Sequence, residues 1–296
     1  MCSNPTIKSF CGFQVENVIL NLPYLVPRLV RRFLPEKLVR ALLLRSWIIH
    51  PGLETSNPAE AVHRYVDVLS RRGLSFQNKR VLVFGYGGRF DTGFGLLNEG
   101  ASHVILCDKY ALPDEIHNRR LFSTEEKYFL AEKNKFHPRT EWMTLLQADI
   151  RDVHARGLVE PVDMVVSSSV YEHLDDVEGI TSALAALTKP DGNQIHFVDL
   201  RDHFFKYPFE MLRFSRGTWL NWLNPSSNHN RYRLWNYRSA FEACFENVDI
   251  EVLTREVEAF QRLMPHIRPE FISGNMEEDA AATIRVFASK PYMNKL

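Results

Sequence analysis

The sequence predicts an α/β protein: a doubly wound, mostly parallel sheet of seven strands, with an N-terminal helical extension and a helical, aromatic-rich insertion after the fifth strand. Three observations predict it. From Lys79 onward, runs rich in Val, Ile and Leu alternate with helix-like stretches, the pattern of strands covered on both faces by crossover helices. A glycine-rich turn follows the first run, in "VLVFGYGG". Aspartates close the next two runs, Asp108 in "SHVILCD" and Asp149 in "LLQADI".

The bulk numbers agree with a folded protein of this kind. The chain has 296 residues, enough for one large domain or two ordinary ones. Apolar residues make up 45% and charged residues 24%, which argues against wholesale disorder. Lys plus Arg equals Asp plus Glu at 36 each, so no global field draws nucleic acid, and no nucleic-acid partner is expected. Cys2, Cys11, Cys107 and Cys244 form no CxxC pair and no zinc spacing, so no metal is expected and the compartment is read as reducing. The start, "MCSNPTIKSFCGF", lacks the layout of a signal peptide, and no run reaches the ~18–20 apolar residues of a spanning helix. A cytoplasmic location follows as the expectation.

Residues 1–75 read as the helical extension. Residues 28–45 carry Arg28, Arg31, Arg32, Lys37, Arg40 and Arg45 against a single acid, Glu36, with Leu38, Leu42 and Trp47 at roughly helical spacing. Two readings stand: peripheral contact with an anionic membrane through this basic segment, or a helix packed on the main domain with a solvated basic face. "PAEAVHRYVDVLSRRG" then reads as a helix, capped by Ser56 or Asn57, with Pro58 in its first turn and Gly73 at its exit. Residues 76–296 form the main domain. "RVLVFG" is its first strand, "DTGFGLLNEG" a helix and "SHVILCD" the second strand. "WMTLLQAD" holds the third and "VDMVVSSS" the fourth. "VEGITSALAALTKPDG" is a helix ending in a Pro-Asp-Gly turn, and "NQIHFVDL" the fifth strand. "VDIEVL" and "ATIRVFAS" supply two more. The insertion, at approximately 203–240, carries Phe204, Phe205, Tyr207, Phe209, Phe214, Trp219, Trp222, Tyr232, Trp235 and Tyr237. Its aromatics either bury against the sheet or line a substrate pocket at the sheet's carboxyl edge.

The glycine turn excludes two ligand classes. A dinucleotide fingerprint needs a third glycine three residues after Gly87, and Phe90 stands there. Asp91 is placed to cap the helix beginning near Thr92, where a carboxylate occupies the anion site and repels a pyrophosphate. No GK[ST] follows, so the turn is not a P-loop. An adenosine ligand without phosphate and with a cationic centre tolerates this arrangement. Asp108 can accept from both ribose hydroxyls, and Asp149 from an adenine amino group beside the backbone N–H of Ile150.

Residues 79–200 resemble the core of a class I S-adenosylmethionine (SAM)-dependent methyltransferase of the small-molecule branch. "VLVFGYGG" resembles the family's first motif, "SHVILCD" its ribose strand, "QADI" its adenine strand and "VDMVVSSSVYEHLDD" its fourth-strand motif with the pair Glu172 and His173. The resemblance implies a Rossmann-like fold whose last strand, "ATIRVFAS", is antiparallel. It implies SAM as cofactor, held around Gly85, Tyr86, Gly87, Asp108, Lys109, Asp149, Ile150 and Ser168. It implies methyl transfer to a small-molecule, sugar or lipid-linked acceptor, with oxygen as the expected atom. A hydroxyl acceptor must lose a proton. His173 and His203, at the ends of the fourth and fifth strands, are the base candidates, whereas His196, inside a strand, reads as a core histidine. Asp199 and Arg201 either orient the acceptor or pair with each other, and Trp219 and Trp222 belong to its pocket. The family has an acid where this chain has Val83 and a glycine where it has Arg89. Those departures keep open a second reading, a non-catalytic SAM-binding or scaffolding protein. The sequence does not reveal the oligomeric state.

Overall fold

The structure, a computed structural model, describes residues 22–33, 57–132, 135–202, 207–224 and 229–292. In chain order its main elements are α1 (Leu22–Phe33), α2 (Pro58–Ser70), β1 (Arg80–Phe84), α3 (Asp91–Asn98), β2 (His103–Cys107) and α4 (Glu115–Glu125). The hairpin β3 (Phe129–Glu132) and β4 (Lys135–Pro138) follows, then β5 (Met143–Leu146), α5 (Ile150–Ala155), β6 (Val162–Ser168), α6 (Val177–Ala186) and β7 (Thr188–Asp199). The last are α7 (Leu234–Glu242), β8 (Phe245–Arg255), α8 (Val257–Leu263) and β9 (Ala281–Pro291).

The main sheet has seven strands in the order β5-β2-β1-β6-β7-β9-β8. All its pairings are parallel except those of β9, which runs antiparallel to both β7 and β8. The chain winds from β1 outward to β5, then crosses back to β6. The reversal falls between β1 and β6, the place where open sheets of this kind bind ligands at the carboxyl ends of their strands. This is the doubly wound, mostly parallel, Rossmann-like arrangement of seven strands expected from the sequence, with "ATIRVFAS" inside the antiparallel β9.

The strand runs are continuously apolar because both faces are covered. Leu82 and Phe84 of β1 enter one core with α5, α6 and α7, while Val81 and Val83 enter the other with α2 and α3. β2 splits the same way, Ile105 and Cys107 against Val104 and Leu106. Each such side chain contributes about 1.5–3 kcal/mol when fully withdrawn from water. Asn57 caps α2, accepting from the Glu60 N–H at 3.3 Å, with Pro58 in the first turn.

A third core lies apart from these two. Leu25 of α1 meets Phe209, Met211, Leu212, Phe214, Trp219 and Leu223 from the insertion, and Phe260, Ile267 and Ala280 from the β8–β9 connection. Arg233 ties this cap to the sheet. It is fully buried and donates to the carbonyls of Leu200 (3.2 Å), Asp279 (2.8 Å) and Ala281 (2.9 Å). Burial lowers its guanidinium to about 10, so it stays charged at neutral pH.

The structure departs from the sequence reading in several places. The hairpin β3–β4 was not anticipated. The Pro-Asp-Gly stretch at 190–192 lies within β7, where the register against β6 shifts between Val162 and Met164, while α6 stops at Ala186. α7 covers the sheet beside α6, so only the part of the insertion before Leu234 builds the cap. No helix among the described residues is long and apolar enough to cross a membrane.

Candidate functional site

The glycine turn sits on the carboxyl end of β1. Gly85, Gly87 and Gly88 adopt φ values of +79°, +68° and +88°, a region that side chains disfavour. At Gly88 the backbone is enclosed: a Cβ there would strike the carbonyl oxygen of Leu112. The Gly88 carbonyl accepts from the Asp114 N–H (2.8 Å) and from Asn118 Nδ2 (2.9 Å). α4 therefore clamps the far side of the turn. At Gly85 the side chain of Val170, arriving from the end of β6, rests directly on the backbone. The ends of β1 and β6 thus touch at the reversal point.

Asp91 is not a cap, contrary to the sequence reading. It is the first residue of α3, the N-cap position is Phe90, and no side chain caps the helix. The Asp91 carboxylate instead faces His117 Nε2 of α4 at 2.8 Å. Its charge still stands at the start of α3, where a phosphate would have to lie. Phe90, in the place of a third glycine, is buried against Phe94 and Tyr86.

Asp108 closes over the turn. Its Oδ2 accepts from the Gly87 N–H at 3.2 Å, and its Oδ1 from the N–H groups of Tyr110 and Ala111, both at 2.8 Å. The Tyr86 side chain is buried, and burial with the charge of Asp108 pushes its phenol up to about 12. Only the backbone of Tyr86 belongs to the turn's surface. Asp149 caps α5, accepting from the Arg151 N–H at 3.0 Å. It also takes both forks of the Arg151 guanidinium, at 3.0 and 2.7 Å, and Lys109 Nζ at 3.1 Å. Arg151 and Lys109 hold its carboxyl well below the usual carboxylate range. Arg151 reaches on to Asp176 at 2.6 Å, fastening the end of β5 to the start of α6. Ile150 buries its side chain and offers only its backbone at this edge, and Ser168 is buried at the end of β6. Ser169 has φ +56°, a costly value for a residue with a side chain, at the tip of the strand that begins the reversal.

A second group of side chains gathers beside the ends of β6 and β7. The half-buried His173 sits edge-to-face with His229, ring centroids 5.7 Å apart. His229 is buried, and its Nδ1 meets the Asn230 carbonyl at 2.7 Å, which fixes the Nδ1–H tautomer. Burial, with His173 adding, lowers it to about 3. Trp219 Nε1 and Asn224 Nδ2 both donate to the His229 carbonyl at 3.0 Å. Arg28 of α1 reaches across, donating to the Leu223 carbonyl at 2.7 Å, pairing with the buried Asp202 and lying over the Trp219 ring at 4.7 Å. Asp199 and Arg201 form a two-pronged pair, Nε to Oδ1 at 2.9 Å and Nη2 to Oδ2 at 2.8 Å. Trp219 is buried in the cap, whereas Trp222 is 52% exposed. His203 lies outside the described residues, as do Phe204 and Phe205.

Glu172 stands between these groups. It is 1% exposed, and neither carboxyl oxygen meets a partner in hydrogen-bonding geometry. Burial pushes its carboxyl well above the usual range, and the charge of Asp199 adds to the effect. Its backbone is pinned by Asn230, whose N–H donates to the Glu172 carbonyl at 2.8 Å. The Asn230 Nδ2 donates to the carbonyls of Tyr171 and Leu174.

His196 is a core histidine, as its position inside a strand implies. A one-way chain runs from Ser167 Oγ to His196 Nδ1 (2.8 Å), His196 Nε2 to Gln194 Oε1 (2.9 Å), Gln194 Nε2 to Thr188 Oγ1 (2.8 Å) and Thr188 Oγ1 to the Leu184 carbonyl (2.8 Å). The final carbonyl can only accept, which sets the direction of every bond before it. Burial lowers His196 to about 3, so it stays neutral.

The structure therefore brings Gly85, Gly87, Asp108 and Val170 together at the carboxyl ends of β1 and β6, with Lys109, Asp149 and Ile150 on the β5 side and His173 on the β6 side. His229, Asn230, Ser169 and Arg28 were not singled out for the site from sequence; Ser169 lies within the fourth-strand motif and Arg28 in the basic segment, while His229 and Asn230 sit in no local motif. Among the described residues no three His, Cys, Asp or Glu side chains converge on a metal position.

No family model matches the chain, and no curated protein matches its sequence. Solved structures are similar to it at low identity. A SAM-dependent methyltransferase from Mesorhizobium loti is similar at 17% identity and a TM-score of 0.43, over 75% of this chain and 95% of that one. The Burkholderia thailandensis 1,6-didemethyltoxoflavin-N1-methyltransferase, with 1,6-didemethyltoxoflavin and S-adenosylhomocysteine bound, is similar at 14% identity and a TM-score of 0.45, over 86% and 88%. A Haemonchus contortus phosphoethanolamine N-methyltransferase in complex with phosphomonomethylethanolamine and S-adenosylhomocysteine is similar at 15% identity and a TM-score of 0.49, over 78% and 53%.

Proposed function

We propose that the protein is a SAM-dependent methyltransferase acting on a small-molecule, sugar or lipid-linked acceptor, at oxygen. The observation that carries this reading is the position of Asp108. Its carboxylate lies 3.2 Å from the Gly87 N–H, at the mouth of the glycine turn and beside the β1/β6 reversal. An acid there suits a ribose diol, and Asp91 at the start of α3 disfavours a pyrophosphate.

The residues present fit an adenosine sulfonium in part. Asp108 would take the ribose, the Ile150 N–H the adenine edge, and the backbone of Gly85 to Gly87 the methionine portion. Ser168 closes the floor. Asp149 has its lone pairs committed to Arg151 and Lys109, so its share in adenine binding requires Lys109 to yield. SAM supplies an electrophilic methyl group on a good leaving group. The chain's own contribution is alignment and exclusion of water by the cap. His173, beside His229, takes the proton from an acceptor hydroxyl, and His203 is the other candidate. Asp199, Arg201 and Trp219 shape the acceptor side, whereas the exposed Trp222 faces outward.

Calorimetry with SAM and with NAD tests the cofactor. SAM binding that weakens about tenfold, roughly 1.4 kcal/mol, in Asp108→Ala supports the reading. Binding of NAD without SAM overturns it. His173→Ala lowers turnover and keeps SAM affinity. A second reading, a SAM-binding or scaffolding protein without turnover, is favoured by one observation: Val83, where the family carries an acid, is fully buried in the core. Methyl transfer from labelled SAM to a cell extract separates the two. SAM binding with no transfer across a broad acceptor panel favours the second.

A further inference from the structure

α1 turns an arginine inward and several apolar side chains outward. In a helix packed on a soluble domain the apolar stripe faces inward and the charged face outward. Here Arg28 points inward, 4% exposed, to Asp202, the Leu223 carbonyl and the Trp219 ring, with Leu25 beside it. Val26, Leu29, Val30 and Phe33 recur at helical spacing and face outward, Val30 at 53% and Phe33 at 76% exposure. The Trp219–Leu223 turn on which α1 docks adds Leu220 and Trp222, 49% and 52% exposed.

We propose that this face docks on an anionic membrane surface. Exposed Phe, Leu and Val on one side of a short helix, with Leu and Trp from the turn beside it, are side chains that enter the boundary between headgroups and acyl chains. The charge agrees: residues 22–50 carry Arg28, Arg31, Arg32, Lys37, Arg40 and Arg45 against Glu36 alone. The same excess disfavours a second copy as occupant, because pairing two such faces brings two cationic segments together. The arrangement gives α1 a geometry that sequence alone did not: Arg28 anchors the helix to the protein, and the apolar side is left for lipid. The proposal is independent of the methyltransferase reading.

The test is co-sedimentation of the full-length protein with phosphatidylcholine vesicles, with and without phosphatidylserine. The expected result is binding to the phosphatidylserine vesicles that weakens with salt and falls about tenfold or more in Phe33→Asp and Val30→Asp. Ile116→Asp, at an exposed apolar residue of α4, should leave binding unchanged. Failure of the unaltered protein to bind phosphatidylserine vesicles overturns the proposal, as does equal binding by Phe33→Asp. Thermal unfolding and sedimentation velocity cover the other occupants. Without vesicle affinity, lower stability of Phe33→Asp assigns the stripe to the chain's own residues, and a dimer that Phe33→Asp dissociates assigns it to a second copy.

Discussion

Glu172→Gln should make the protein more stable at neutral pH, by an amount that depends on pH in a prescribed way. The wild-type carboxyl is buried, and burial raises its folded-state affinity for a proton by more than the nearby backbone N–H groups of Glu172 and Asp199 lower it. An ordinary glutamate in the unfolded chain titrates near 4.3. The sign follows from proton counts. Above that point the unfolded chain releases its proton while the folded protein keeps it, so stability is full below the unfolded value and is lost as pH rises toward the folded one. Each pH unit costs up to about 1.4 kcal/mol, so the interval from about pH 5 to pH 7 removes up to ~2.7 kcal/mol. Gln does not titrate and fills the same space. The advantage of the variant should therefore be near zero at about pH 4 and grow toward neutrality. With ~2.1 cal/mol/K of unfolding entropy per residue, ~2.7 kcal/mol over this chain is about 4 °C in melting temperature. Urea unfolding of both proteins at several pH values reads the difference. A difference that stays flat with pH would show that Glu172 is ionised in the folded protein, and the account of its environment would be wrong.

Two further outcomes follow from buried groups. Arg28→Met removes a buried partner of Asp202 and should cost about 3–5 kcal/mol where α1 meets the cap, read as faster amide exchange in α1 with β1 and β2 still protected. His196 and His229, both lowered to about 3, contribute stability that is present above their unfolded value near 6.5 and lost as pH falls toward the folded values. At about pH 5 each should cost ~2 kcal/mol, and His196→Gln should flatten the acid limb of a stability–pH curve by about half; an unchanged limb would exclude this assignment.

What was legible in the sequence is what is decided locally or by periodicity. β1 and β2 are continuous apolar runs because alternate side chains enter two different cores, and that shows in the composition of five residues. Asn57 caps through a bond only three positions away. The cap was not legible, because its core is assembled from α1, the insertion and the β8–β9 connection, and Arg28 meets Asp202 across 174 residues. Asp91 fell to the same limit. Its spacing from the glycines fits a cap, but α4, reached through a later loop, brings His117 to its carboxylate.

The two strand-end aspartates show how far such a limit reaches into function. Both were readable as acids at the tips of successive strands, and position alone made them equivalent. A carboxylate has about four acceptor positions, and what it can do for a ligand depends on how many are taken. Asp108 spends two on the N–H groups of Tyr110 and Ala111 through Oδ1, and one on Gly87 through Oδ2, so its remaining acceptor position belongs to the oxygen that faces the glycine turn. Asp149 receives Arg151 through its backbone N–H and both guanidinium forks, and Lys109 through its ammonium, so both its oxygens are doubly engaged. Lys109 comes from the next strand tip, 40 residues earlier, and it converts an acid with the right address into a fastening between β5 and β2. Asp108 as it stands would have room for one ribose hydroxyl and would have to release a backbone N–H for the second, while adenine recognition at Asp149 would carry the added cost of displacing a lysine.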